Sequence, residues 1–140
     1  MQQLIEFTMN HWILVLTFVL VAGFLIFNLL IGDKHAVDPT IATDLINHQD
    51  AVVVDVRPAA DFHKGHIINA ISIPSNGFGN QIGLLNKHKE KPVIISCRSG
   101  AQSSAACQQL KKAGFEQVYN LKGGILAWQN ANLPITRKNK

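Results

Sequence analysis

The chain has 140 residues, with 13 Lys and Arg against 9 Asp and Glu, a formal net charge of +4. That length allows one domain with its own core but not two, and the charge surplus is too small and scattered for the concentrated basic face that nucleic-acid binding needs. Two cysteines exclude a disulfide framework, and six dispersed histidines, His63 and His66 included, have no cysteine or carboxylate cluster beside them, so neither a metal nor a cofactor is expected.

From Phe7 to Gly32 there is no Asp, Glu, Lys or Arg, and Trp12 to Ile31 is almost unbroken apolar sequence. Twenty such residues form a helix about 30 Å long, the thickness of a bilayer's hydrocarbon core. Trp12 stands at one end, where an indole favours the headgroup interface. A cleaved signal peptide would carry basic residues ahead of a shorter run and a small-residue cleavage site, whereas "MQQLIEFTMNH" has no Lys or Arg and the run ends in bulky residues. A buried core helix with apolar surface on every side would swamp so small a domain. The segment is therefore expected to be a single-span anchor, with the lipid bilayer as its partner through residues 12–31. Lys34, the nearest cation, puts the rest of the chain on the cytoplasmic side by the positive-inside rule. The expected division is residues 1–35 for anchor and linker and residues 36–140 for a soluble domain.

After the polar stretch "GDKHAVDP", the periodicity alternates. Pro39 to His48 predicts a short helix, with Asp38 placed to cap it and Pro39 suited to its first turn. Ala51 to Val56 is a β-branched run, the mark of a strand covered on both faces. Ala70 to Pro74 and Pro92 to Ser96 predict two more strands, Ser103 to Phe115 a helix closed by Gly114, Gln117 to Leu121 a fourth strand, and Gly123 to Ala131 the start of a last helix. Strands and helices in alternation with short connections predict an α/β fold, a parallel sheet with helices on both faces. The basic tail "TRKNK" reads as a solvated terminus.

Cys97 stands at the carboxyl end of a predicted strand, where open α/β sheets place their sites. The loop that follows, Arg98, Ser99, Gly100, Ala101 and Gln102, runs straight into the helix that opens near Ser103. Such a loop can curl so that successive N–H groups face the sulfur, with the positive end of the helix dipole behind them. Both favour thiolate over thiol, and they point to a reactive cysteine with a depressed pKa rather than an inert one. The N-cap is expected at Gln102 or Ser103; Ser103 and Ser104 could donate hydroxyl hydrogen bonds or cap the helix, with capping the favoured role, and Cys107, inside it, reads as core filler.

Three motifs in order carry a resemblance to the rhodanese family of sulfurtransferases: "VDVRPAADFHKGHIINAISIP" (54–74), "CRSG" before a helix (97–100), and "GFEQVYNLKGGILAWQNANLP" (114–134). The chain resembles a membrane-anchored, single-domain bacterial type, and the likeness covers residues 40–134. It implies two-step covalent catalysis, in which Cys97 takes a sulfane sulfur from a small donor or a protein persulfide, holds it as a persulfide, and passes it to a thiol or cyanide. Arg98, Ser99, Gly100, Ala101, Gln102 and Ser103 would form the substrate cradle. Family members often carry Arg where this chain has Gln102, so the entrance lacks a cation that would favour thiosulfate. Asp55, Arg57 and His66, shared with the family, read as braces for neighbouring loops.

Two other functions compete with this one. Phosphatases and arsenate reductases of related fold need an arginine beyond a five-residue gap after the cysteine; that position is Ser103 here. The other is a tethered module that recruits a membrane-protein partner to the bilayer, with weak or no catalysis. The anchor supports it, since a diffusing sulfur donor needs none.

Overall fold

The computed structural model describes residues 1–30 and 35–138. The last residue of the expected span, much of the expected linker including the orienting lysine at 34, and the final two residues of the basic tail lie outside the described residues. Two compact units result, residues 1–34 and 35–140.

The first unit is helical. α1 (Gln2–Asn10) is followed by α2 (Trp12–Leu30), 19 residues with no charged side chain and no buried one. α2 is long and apolar enough to cross a membrane. Its few polar side chains are satisfied within the helix: Thr17 donates to the Ile13 carbonyl at 2.7 Å and Asn28 to the Phe24 carbonyl at 2.9 Å. A hydrocarbon environment demands that kind of internal satisfaction.

The second unit is the α/β fold the sequence predicts. Its elements are β1 (Ala36–Val37), α3 (Pro39–Gln49), β2 (Val52–Asp55), α4 (Ala59–Lys64), β3 (His66–Ile67), β4 (Ile71–Ser72), α5 (Phe78–Gln81), a 3₁₀ segment (Ile82–His88), β5 (Val93–Ser96), α6 (Ser103–Lys112), β6 (Val118–Leu121), α7 (Gly124–Asn130) and β7 (Ile135–Thr136). Five strands form one all-parallel sheet in the order β1-β6-β5-β2-β4, and β3 pairs antiparallel with β7. Alternate residues of each strand serve opposite faces. Val54, Val93, Ile95 and Val118 join Phe78, Leu85, Leu110 and Phe115 under α5, the 3₁₀ segment and α6. Val53, Ile94 and Leu121 join Ala42, Leu45, Ile125 and Trp128 under α3 and α7. The continuous β-branched runs of β2 and β5 are thus explained by cover on both sides.

Two local expectations are corrected. Asp38 precedes α3 but makes no capping hydrogen bond; its carboxylate lies 4.0 Å from Lys122 Nζ instead. Ala36 and Val37, read only as part of a polar stretch with no strand in it, form the edge strand beside Asn120 and Leu121. Two residues are too few to show a period, so only the sheet's open edge reveals them.

The braces are as read. Arg57 binds Asp55 through its guanidinium, with Nη2 to Oδ2 at 2.7 Å, and the same Nη2 donates to the Gly65 carbonyl at 2.7 Å. His66 reaches the Phe62 carbonyl with Nδ1 at 2.8 Å, its ring stacked on Phe62. Asp55 and Arg57 are 1% and 8% exposed, so removing one partner strands a buried charge. Arg57→Met is expected to cost about 3 to 5 kcal/mol in denaturant unfolding, and the double variant with Asp55→Asn clearly less.

Candidate active site

β5 is the middle strand of the sheet, flanked by β6 and β2, and delivers Cys97 to the carboxyl edge. The sulfur is then enclosed by the turn into α6. Gly100 N–H donates to Cys97 Sγ at 2.8 Å, and Ser103 Oγ lies 3.5 Å from it. Gly100 adopts a φ of +95°, in the left-handed region, which lets the turn close this tightly. Around the buried sulfur, Arg98, Ser99, Ala101 and Gln102 are exposed, Gly100 is half-buried and Ser103 is buried.

Two opposing effects act on the thiol. Burial, the largest, pushes its pKa up; the Ser103 hydroxyl and the backbone N–H groups of Ser103, Gly100 and Ser99 push it down, and together they win. The thiol is therefore held below its ordinary range by neutral hydrogen bonds, as the nest reading expected.

N–H groups can converge on the sulfur only if the intervening carbonyls are taken up elsewhere. The Cys97 carbonyl accepts from Ile125 N–H at 2.8 Å and the Arg98 carbonyl from Leu126 N–H at 3.4 Å. Both donors lie in the first turn of α7, where helix N–H groups have no partner of their own. The approach depends on Gly124, which sits at φ +58° and on which a Cβ would stand 2.3 Å from the Cys97 carbonyl oxygen. The double glycine, noted above only as part of a motif, is what lets α7 dock against the loop.

Of the predicted cradle residues, Ser99, Gly100 and Ser103 contribute directly to the sulfur, while Arg98, Ala101 and Gln102 form the exposed rim. The capping role expected of Ser103 is corrected. Gln102 holds the cap position without a side-chain bond, and Ser103 Oγ contacts Gly100 O at 3.0 Å and Asn120 Oδ1 as well as the sulfur. Asn120 was missed altogether. It is 5% exposed on β6, in register with Ile95, and its Nδ2 donates to the Gly100 carbonyl at 3.1 Å. The signal was present as a polar residue in an otherwise apolar strand, since a buried amide must find partners. Cys107 is not in a disulfide and is buried in the core cluster that contains Cys97, with its thiol toward the Tyr119 carbonyl at 3.7 Å.

Gly124→Ala is expected to slow alkylation of Cys97 by about tenfold or more, because the loop must retreat from the new methyl group and its N–H groups with it. Gly114→Ala is the matched control: it carries the same kind of backbone strain, at φ +93°, but meets nothing within 4 Å. It should lower the melting temperature and leave alkylation of Cys97 unchanged.

Comparison with known proteins agrees with this geometry. Residues 38–131 match the family described as Rhodanese-like domain. The chain is 42% identical over 144 residues to the uncharacterized protein YibN of Escherichia coli (strain K12), a match covering 98% of this chain and 99% of that protein. It is 36% identical over 96 residues to a sulfurtransferase of Allochromatium vinosum, covering 69% of this chain and 88% of the relative. The crystal structure of a rhodanese-related protein from Thermoplasma volcanium shares the fold with a TM-score of 0.67 at 24% identity, covering 75% of this chain and 100% of that one. Fold, cysteine loop and motif order converge, and the chain belongs to the rhodanese-like domain family.

Proposed function

We propose that this protein is a rhodanese-type sulfurtransferase that carries a sulfane sulfur as a persulfide on Cys97. The observation that carries the reading is the convergence of Ser99, Gly100 and Ser103 donors on a thiol whose pKa they hold down despite its burial. Relatives named as sulfurtransferases, among them one from Allochromatium vinosum, support it. In the first step the Cys97 thiolate attacks the outer sulfur of a donor such as thiosulfate. The new S–S bond forms as the donor's own S–S bond breaks, and the electron pair of that bond leaves on sulfite. In the second step an acceptor thiolate or cyanide attacks the outer sulfur, and the Cys97 thiolate departs with its electron pair. No external oxidant or reductant is consumed.

Arg98, exposed on the rim, is the cation that would meet an anionic donor. Gln102 offers a neutral amide where family members often have Arg, which favours a persulfide delivered by a small thiol or a protein over thiosulfate. The setting proposed is a single-pass protein of a bacterial inner membrane, anchored by α2 with the α/β unit in the cytoplasm, serving an acceptor at the membrane. The length and apolar character of α2 support the anchor. The need to keep Cys97 reduced supports the cytoplasmic side.

The test is intact mass spectrometry of the full chain in detergent, after exposure to thiosulfate or a low-molecular-weight persulfide, with Cys97→Ala alongside. Gain of one sulfur atom, removable by cyanide and absent from Cys97→Ala, is expected. If no donor loads sulfur, the carrier reading fails and the alternative stands: a membrane-tethered binding module with weak or no catalytic activity. In the same assay Gln102→Arg should raise the rate of loading from thiosulfate roughly fivefold, the scale of about 1 kcal/mol for one added charge near an exposed anion, and leave loading from a neutral persulfide donor unchanged.

A further inference from the structure

Ser103 has one hydroxyl proton and three neighbours that compete for it. They are Cys97 Sγ at 3.5 Å, the Gly100 carbonyl at 3.0 Å, and Asn120 Oδ1 in direct contact. Which of them holds the proton follows from the Asn120 amide. Its Nδ2 faces the Gly100 carbonyl at 3.1 Å and Ser104 Oγ at 3.5 Å. A carbonyl only accepts, so turning the amide over would set two acceptors against each other. Oδ1 therefore faces Ser103, and it too only accepts.

While Cys97 is a thiol, this arrangement is complete. Ser103 gives its proton to Asn120, and the Cys97 S–H gives its own to Ser103 Oγ. A thiolate has no proton to give. On ionisation Ser103 must turn its O–H toward the sulfur and away from Asn120 Oδ1. The side chain that stabilises the thiolate is thus held in reserve by a neighbour that stabilises the thiol.

We propose that Asn120 is a positioning residue for Cys97: it contends with the sulfur for the single proton of Ser103, and so sets how readily the cysteine ionises. The inference deepens the sulfur-carrier reading and rests on it only for its purpose, since the contest exists whatever the thiol reacts with. During transfer the negative charge moves outward to the terminal sulfur of the persulfide, and the Ser103 proton can return to Asn120. The resting cysteine is then kept closer to its thiol form than the loop alone would keep it. No ionised side chain is part of the contest. Arg98 is exposed on the rim, Cys107 on α6 turns its thiol toward the Tyr119 carbonyl, and Asp55 on β2 is bound by Arg57.

The experiment is the pH dependence of iodoacetamide alkylation at Cys97, on the full chain in detergent. Tryptic cleavage after Arg98 separates the Cys97 peptide from that of Cys107, so each thiol is read alone. Asn120→Leu frees the Ser103 proton and should shift the Cys97 profile to lower pH, with alkylation at least about threefold faster on its acid limb. Ser103→Ala should shift the profile the other way. In the Ser103→Ala background, Asn120→Leu should have no further effect. A profile shifted upward or unmoved by Asn120→Leu, or a downward shift that persists without the Ser103 hydroxyl, overturns the proposal and leaves Asn120 a brace for the loop. Asn120→Ala, which adds no bulk, must reproduce the same sign and serves if the leucine variant fails to fold. Failure of the carrier reading itself would show separately, as absence of sulfur loading on the unmutated chain.

Discussion

The site depends on a division of the peptide groups between residues 97 and 103: N–H groups toward the sulfur, carbonyls away from it. Each carbonyl turned away must be satisfied, and the fold supplies a donor for those of Cys97, Arg98 and Gly100. Ile125 and Leu126 take those of Cys97 and Arg98, and Asn120 takes that of Gly100. Remove the first turn of α7 and the Cys97 and Arg98 carbonyls lose the donors that hold them away from the sulfur. The N-terminus of one helix, α6, lies on the sulfur side of the loop, and that of another, α7, on its outer side. Both use the unpaired N–H groups that every helix start presents. Gly124 is the point at which the second helix comes close enough, which is why a single methyl group there is predicted to reach the chemistry.

The sheet sets the terms under which this loop works. β5 lies between β6 and β2 with every residue buried, so its carboxyl end is positioned firmly and is also poor in water. Burial alone would keep Cys97 a thiol, and the donors around it must outweigh that effect. Such donors are effective because the site is dry: a hydrogen bond to an anion gains strength as water is excluded. The neighbouring strand end is stiffened by the Asp55–Arg57 pair, which reaches on to the Gly65 carbonyl and ties the β2 turn to the end of α4.

The sequence showed the strands that matter most. Val52–Asp55 and Val93–Ser96 are dense β-branched runs, and only a sheet covered on both faces accepts them. The hydrogen-bonded setting of Cys97 was legible because a cysteine at a strand's carboxyl end, before a glycine-containing loop and a helix, lies where backbone N–H groups can reach its sulfur. Ser103 was misread for a local reason: a hydroxyl at a helix start usually caps, and nothing within a few residues says otherwise. Its true partner stands 17 residues further on, at Asn120. Asn120 itself was readable only as an anomaly, since Val118 and Asn120 point to one face and Tyr119 and Leu121 to the other. A polar residue on the inward side requires a partner that the sequence does not name. The two-residue strands β1, β3, β4 and β7 and the 3₁₀ segment have no period to detect, and tertiary pairing alone defines them. Of these, only β4 coincided with a predicted run, at Ile71 and Ser72.

Charge at the sulfur and charge at the rim are separate devices in this protein. The effects that hold the Cys97 thiol below its ordinary range are hydrogen bonds from a hydroxyl and three peptide N–H groups; no cationic side chain is among them. Fixed dipoles of this kind lie too close to the sulfur, and too far from water, for salt to screen them appreciably. Arg98 stands one residue away yet faces solvent, where its attraction for an anion is weakened by water and screened by salt. Under the proposed function, the acidity of Cys97 would be set by the backbone and the Ser103–Asn120 contact, and the preference for a charged or neutral sulfur donor by two exposed side chains, Arg98 and Gln102. On that proposal, substitution on the rim would change the donor without disturbing the thiolate, and substitution around the sulfur would change the thiolate without altering which donor approaches.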